Sequence, residues 1–133
     1  MLPYPIHPEN AMIGYVTLGT NDLNRACEFY DALFAELGAK RTMQSPRFVA
    51  WSPSAKSPAI AVALPFDGKP ATVGNGVMVA IAADSRATVD ALHAKALALG
   101  AQNEGDVGER FPGFYAGYFR DLDGNKLNVF FMG

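Results

Sequence analysis

"IGYVTLGTNDLNRACEFYDALFAELGA", Ile13 to Ala39, passes from one hydrophobic period to another at Asn21-Asp22, and that change decides the fold. Before it, Met12 to Thr20 is rich in strand-favouring residues and reads as a strand. The Asn-Asp pair is a helix N-cap signal. Beyond it Leu23, Ala26, Cys27, Tyr30, Leu33, Phe34 and Leu37 recur at steps of three and four, which lays them along one face of a helix. Gly38 supplies the stop. Strand-like pieces follow at Lys40 to Gln44, Arg47 to Ser52 and Ala59 to Phe66, separated by Pro, Ser and Gly.

The same order then begins again. After the polar stretch "FDGKPATVGN", the phrase "GVMVAIAA" reads as a strand and "DS" as a cap, and Val89, Leu92, Ala96 and Leu99 form a helical stripe that stops at Gly100. Strands are expected near Ala101 to Val107, over Phe114 to Phe119 and over Lys126 to Phe131. The last two are joined at Asp123-Gly124, residues that tolerate the positive φ of a hairpin turn. The phrase "LGA" ends both helices, at Leu37 to Ala39 and Leu99 to Ala101. An internal duplication of about sixty residues accounts for this economically. The reading is an α+β fold: an arm at 1–11, then one domain over 12–133, with module one at 12–66, a linker at 67–75 and module two at 76–133. Each module reads βαβββ and alone would expose an apolar sheet face, so the two should pair.

Composition narrows the function classes. A chain of 133 residues that is 50% hydrophobic and 18% charged is one packed globular domain, not a disordered segment. The net charge of −2, with Lys and Arg scattered, offers no basic stripe for a nucleic acid. Cys27 is the only cysteine, so no intramolecular disulfide forms and one thiol cannot build a zinc site; a reducing, cytoplasmic setting is the simplest expectation. "MLPYPIHPEN" lacks the basic and apolar regions of a secretory signal. No apolar run approaches the roughly 18 residues of a membrane span.

The phrases "IGYVTLGTNDLNRACEFYDALFAELGA", "LPFDGKPATVGNGVMVAIAADSRATVDALHAKALALGA" and "FYAGYFRDLDGNKLNVFF" together resemble the vicinal oxygen chelate superfamily of glyoxalases, bleomycin-resistance proteins and extradiol dioxygenases. The resemblance covers nearly the whole chain beyond the arm. It implies that the two βαβββ modules form a curled mixed sheet around a shared cavity, in which the family's enzymes hold a divalent metal, and it implies a homodimer. In those enzymes a His or Gln in the first strand of each module and a Glu in the last strand commonly bind the metal, sometimes with a ligand from the last strand of module one. The matching positions here are Tyr15, Met78 or Val77, and Asn128, while "PAIAVALPF" has no polar side chain. Phenol, thioether and amide are poor substitutes for imidazole and carboxylate. The two histidines, His7 in the arm and His93 in the second helix, are badly placed to replace them. No cofactor is therefore expected.

Several side chains have both a structural and a functional reading. Asn128 is a buried amide satisfied by neighbouring strands or a hydrogen-bonding group for a ligand. Tyr15 fills space left by a metal or orients a ligand, and Met78 is adaptable packing or part of a wall. Trp51, Tyr115, Tyr118 and Phe130 are core or the wall of a pocket for a flat or apolar molecule. Arg47 and Arg110 are solvated cations or partners for a carboxylate or phosphate. The Asp and Asn oxygens of "DLDGN" lack the length and bidentate Glu of a calcium loop, so the phrase reads as a turn.

The reading this supports is a metal-free binder of a small apolar or aromatic molecule, its cavity walled by Tyr15, Trp51, Met78, Tyr115, Asn128 and Phe130. The alternative is an enzyme resembling lactoylglutathione lyase or a dioxygenase. It would be metal-dependent through ligands not yet placed, or metal-independent with Tyr15 as the one candidate acid or base.

Overall fold

The computed structural model describes residues 12–133; the arm and His7 lie outside the described residues. The elements run β1 (Tyr15–Gly19), α1 (Leu23–Ala35), β2 (Lys40–Ser45), β3 (Phe48–Ser52), β4 (Ala59–Ala63), β5 (Val79–Ala82), α2 (Arg86–Ala98), β6 (Gln102–Phe111), β7 (Phe114–Arg120) and β8 (Lys126–Met132). The order is βαβββ twice, as the repeated sequence pattern predicts.

Both helices start where the sequence places their caps. The Asp22 carboxylate accepts from the Arg25 amide, and the Ser85 hydroxyl accepts from the Thr88 amide. Each ends before a glycine in the left-handed region, Gly38 at φ 69° and Gly100 at φ 103°.

Two four-stranded mixed sheets result, in the orders β1-β4-β3-β2 and β5-β8-β7-β6. In each, the first strand of the module lies parallel to its last, and the remaining pairs are antiparallel. This is the α+β arrangement expected.

Some boundaries differ from expectation. β4 stops at Ala63: the Leu64 amide still donates to the Arg47 carbonyl at 3.0 Å, but Pro65 has no N–H to continue the ladder. β6 runs on to Phe111 through three register irregularities and turns back at Gly113, φ 84°. Those shifts break the alternation a sequence window looks for.

The core is one apolar cluster that joins each sheet to its own helix. Leu18, Val49, Trp51 and Val62 pack with Ala26, Tyr30, Leu33 and Phe34 of α1, while Ile81, Phe119, Leu127 and Val129 pack with Val89, Leu92 and Ala96 of α2. His93 of α2 is buried; its Nε2 lies 3.1 Å from the Tyr118 carbonyl, so it is a structural group.

The modules are tied where α1 meets the β7–β8 turn. Tyr30 donates to Asp121 Oδ2 at 2.6 Å, Asn125 Nδ2 donates to the Gly19 carbonyl at 2.9 Å, and Arg25 pairs with Asp123 at 3.5 Å. Asp121 Oδ1 also takes the amides of Asp123 and Asn125, each at 2.9 Å, and Gly124 makes the bend at φ 88°. The Asp121 and Asp123 carboxylates of "DLDGN" are therefore committed to the turn and to its joint with module one.

Candidate functional site

Strand alternation gives each sheet one face against its helix and one without. On the helix-free face of the first sheet, Tyr15, Thr17 and Gly19 of β1, Phe48 of β3 and Ala63 of β4 border a cavity of about 630 Å³, closed on one side by the chain from Leu64 to Asp67 and from Pro70 to Thr72. The small side chains of β4 leave the floor low. Tyr15 and Phe48 meet edge to face, with ring centroids 5.9 Å apart. Phe66, at the rim, is fully exposed.

Arg47, in the β2–β3 turn, lines the same cavity, and its Nη2 donates to the Pro65 carbonyl at 2.7 Å. Among the described residues it makes no ion pair. Asp67 also faces the cavity, with Oδ1 accepting the Lys69 amide at 2.9 Å.

A second cavity, about 500 Å³, lies between the modules on the helix side of the first sheet. Val16, Phe34, Trp51 and Ile60 form one wall, and Met78 to Ala82 form the other. It is almost wholly apolar. Trp51 is locked in place there, its Nε1 donating to Asp31 at 2.8 Å. Asp31 also takes a two-point pair from Arg41, at 2.9 and 2.7 Å. That pair, more than the Trp51 bond, holds the Asp31 carboxyl below its ordinary value against a smaller opposing effect of burial.

The six residues read as one wall are thus distributed. Tyr15 lines the first cavity, and Trp51 and Met78 line the second. Asn128 and Phe130 stand on the helix-free face of the second sheet, where Phe130 stacks on Phe114 at 5.5 Å and Phe114 on Phe111 at 4.8 Å.

Tyr115 faces the other way. It pairs in register with Phe131 and donates to Asp90 of α2 at 2.6 Å, beneath the Arg86 guanidinium. Asn128 is 2% exposed and its Oδ1 has no partner among the described residues. Phe48, Phe66 and Asp67 are among the cavity residues that the sequence reading passed over; the phrase Pro65-Phe66-Asp67, where an apolar strand gives way to a polar stretch, was the available signal.

The divalent metal of the family's enzymes does not fit these residues. Tyr15, Met78 and Asn128 belong to three different surroundings, β4 offers only alanine, isoleucine and valine, and among the described residues no three His, Cys, Asp or Glu gather. Neutral phenol, thioether and amide groups that do not converge cannot replace imidazole and carboxylate. Cys27 is no ligand either, since it is buried on α1 and burial pushes its thiol up. Among the described residues no helix is long and apolar enough to cross a membrane.

Comparison with known proteins gives a consistent result. The family model described as the Glyoxalase/Bleomycin resistance protein/Dioxygenase superfamily matches residues 12–129. A glyoxalase/bleomycin resistance protein from Albidiferax ferrireducens T118 is 35% identical in sequence and superposes with a TM-score of 0.82, over 90% of this chain and 98% of its own. Two more distant structures share the fold. Lactoylglutathione lyase from Agrobacterium tumefaciens is 24% identical at TM-score 0.65, over 93% of this chain and 95% of its own. TioX from Micromonospora sp. ML1 is 19% identical at 0.67, over 92% and 100%. No curated protein matches.

Proposed function

Because the chain belongs to the Glyoxalase/Bleomycin resistance protein/Dioxygenase superfamily, a scaffold that hosts several chemistries, we propose that it is a metal-free binder of a small aromatic molecule. The observation that carries this reading is the 630 Å³ cavity on the helix-free face of the first sheet, walled by Tyr15 and Phe48 and rimmed by the fully exposed Phe66. Such a site offers ring faces and edges to a flat ligand, with few polar groups to fix its orientation.

In this reading the protein is a cytoplasmic homodimer. A second copy would cover apolar side chains outside the cavity that one chain leaves exposed, Met43, Phe111 and Met132 among them. Light scattering at micromolar concentration should give twice 14.2 kDa, and a monomer would refute the dimer.

Binding itself is tested by melting the protein with increasing 1-naphthalenemethanol, since a ligand of the native state raises Tm with a saturating dependence on its concentration. Phe66→Ala and Tyr15→Ala should each weaken the response several-fold. No shift up to millimolar probe would remove the proposal.

An enzymatic reading keeps the same cavity, with Tyr15 as acid or base at the position where relatives bind metal. Turnover of a 2-oxoaldehyde hemithioacetal or of a catechol would replace the binder with an enzyme: a metalloenzyme if chelator abolishes it, and a metal-independent one if it survives chelator and is lost in Tyr15→Phe.

A further inference from the structure

Arg47 is held in an unusual way for an exposed cation. It sits in the two-residue turn between β2 and β3, and its backbone carbonyl accepts the Leu64 amide at 3.0 Å. Its Nη2 is tied to the Pro65 carbonyl at 2.7 Å. Two bonds to one strap fix both ends of the side chain over the cavity. The tie to Pro65 uses one N–H and leaves the other guanidinium donors free. Among the described residues no carboxylate pairs with it, whereas Arg25, Arg41, Arg86 and Arg120 all have acidic partners. Arg110, the other arginine beside aromatic residues, donates to the carbonyls of Gly108 and Asp106 and lies over the Tyr118 ring, so its guanidinium is already committed.

The same strap runs from Pro65, which orients Arg47, straight to Phe66, whose ring has no protein neighbour to cover it. Tyr15 and Phe48 line the same cavity. A cation with free donors, from the β2–β3 turn, and three aromatic rings, from β1, β3 and the strap after β4, thus line one cavity. We infer that the cavity takes a planar aromatic carboxylate, its ring between Phe66 and the Tyr15–Phe48 pair and its carboxylate on the Arg47 fork. The inference rests on the binding reading above and adds the charge of the ligand to it. Asp67 faces the same space and opposes an anion, so it sets an upper limit on affinity.

The test compares two probes of equal ring and different charge, 1-naphthoate and 1-naphthalenemethanol, by calorimetric titration of the full chain, Arg47→Met and Asp67→Asn. Wild type should prefer naphthoate by roughly twofold to fivefold, the gain of a solvent-exposed charge pair. Read as the ratio of the two affinities, the preference should disappear in Arg47→Met and grow in Asp67→Asn. Both positions are exposed, and far-ultraviolet circular dichroism with a melt checks that each variant folds. If both probes bind wild type and Arg47→Met with equal affinity, the inference fails while the binding reading stands. If neither probe binds wild type, both fail together.

Discussion

Replacing Tyr30 with phenylalanine removes one oxygen from the joint between the two modules and little else. The Tyr30 hydroxyl donates at 2.6 Å to Asp121 Oδ2; the two residues are 1% and 6% exposed, and they belong to α1 and to the start of the β7–β8 turn. A hydrogen bond to a charged acceptor contributes ~1.5–3 kcal/mol. Asp121 would keep the Asp123 and Asn125 amides and the Asn125 side chain, so the low end applies, about 1.5–2 kcal/mol. Unfolding entropy near ~2.1 cal/mol/K per residue gives about 0.28 kcal/mol/K for 133 residues, and hence a fall in Tm of about 5–7 °C at neutral pH.

The alkaline limb supplies a second readout. Burial, reinforced by the Asp121 charge and hydrogen bond, raises the Tyr30 hydroxyl well above its ordinary value of 10.0. The folded state thus favours the protonated phenol. That contribution is fully present below pH 10 and is lost as pH climbs through it towards the folded value. Tyr30→Phe has no such loss, so the gap between the two proteins should narrow above pH 10. Differential scanning calorimetry of both proteins from pH 7 to 11 measures this. A Tm difference under about 1 °C at pH 7, or a gap that does not change with pH, would refute the idea that this bond couples the modules.

Three further outcomes follow from single side chains. Asn128→Leu removes a buried oxygen without a partner and keeps the branched outline with bulkier ends, so urea denaturation should show a change within about 1 kcal/mol of zero; a larger loss would mean the amide is satisfied in solution. Asp31 is held below its ordinary value of 3.8, chiefly by Arg41, so its contribution is present above that value and disappears as pH falls through the folded value. Asp31→Asn should therefore flatten the acid limb of a stability curve read by Trp51 fluorescence, and an unchanged limb would exclude the pairing. Cys27 is buried, with its thiol raised by burial, and should react with a disulfide reagent only after denaturant is added; prompt reaction of the native protein would place it at the surface.

Local chemistry explains why the elements were legible in the chain. Asp22 and Ser85 cap helices, Gly38 and Gly100 end them, and Gly124 turns β7 into β8, because each of those events is decided within a few residues by backbone geometry and one side-chain oxygen. The repeat of that grammar specifies the order βαβββ twice. That Tyr15, Met78 and Asn128 are not imidazoles or carboxylates was legible for the same reason, since ligand chemistry belongs to residue type.

Only the tertiary structure decided which side chains meet. Tyr115 looks like Tyr118 in sequence, yet the pairing of Tyr115 with Phe131 places it against α2, while Tyr118 pairs with Asn128 on the open face. A register differing by one residue would exchange them. Trp51 reads in sequence as core first and pocket wall second, and its pairing with Ile60 and Arg41 turned it towards α1. The cavity beside Tyr15 depends on a strap that brings Arg47, Pro65 and Phe66 together from two separate loops. Sequence periodicity carries the direction of a side chain within its own strand, but the face that a distant helix or loop will cover is set by pairing across the chain.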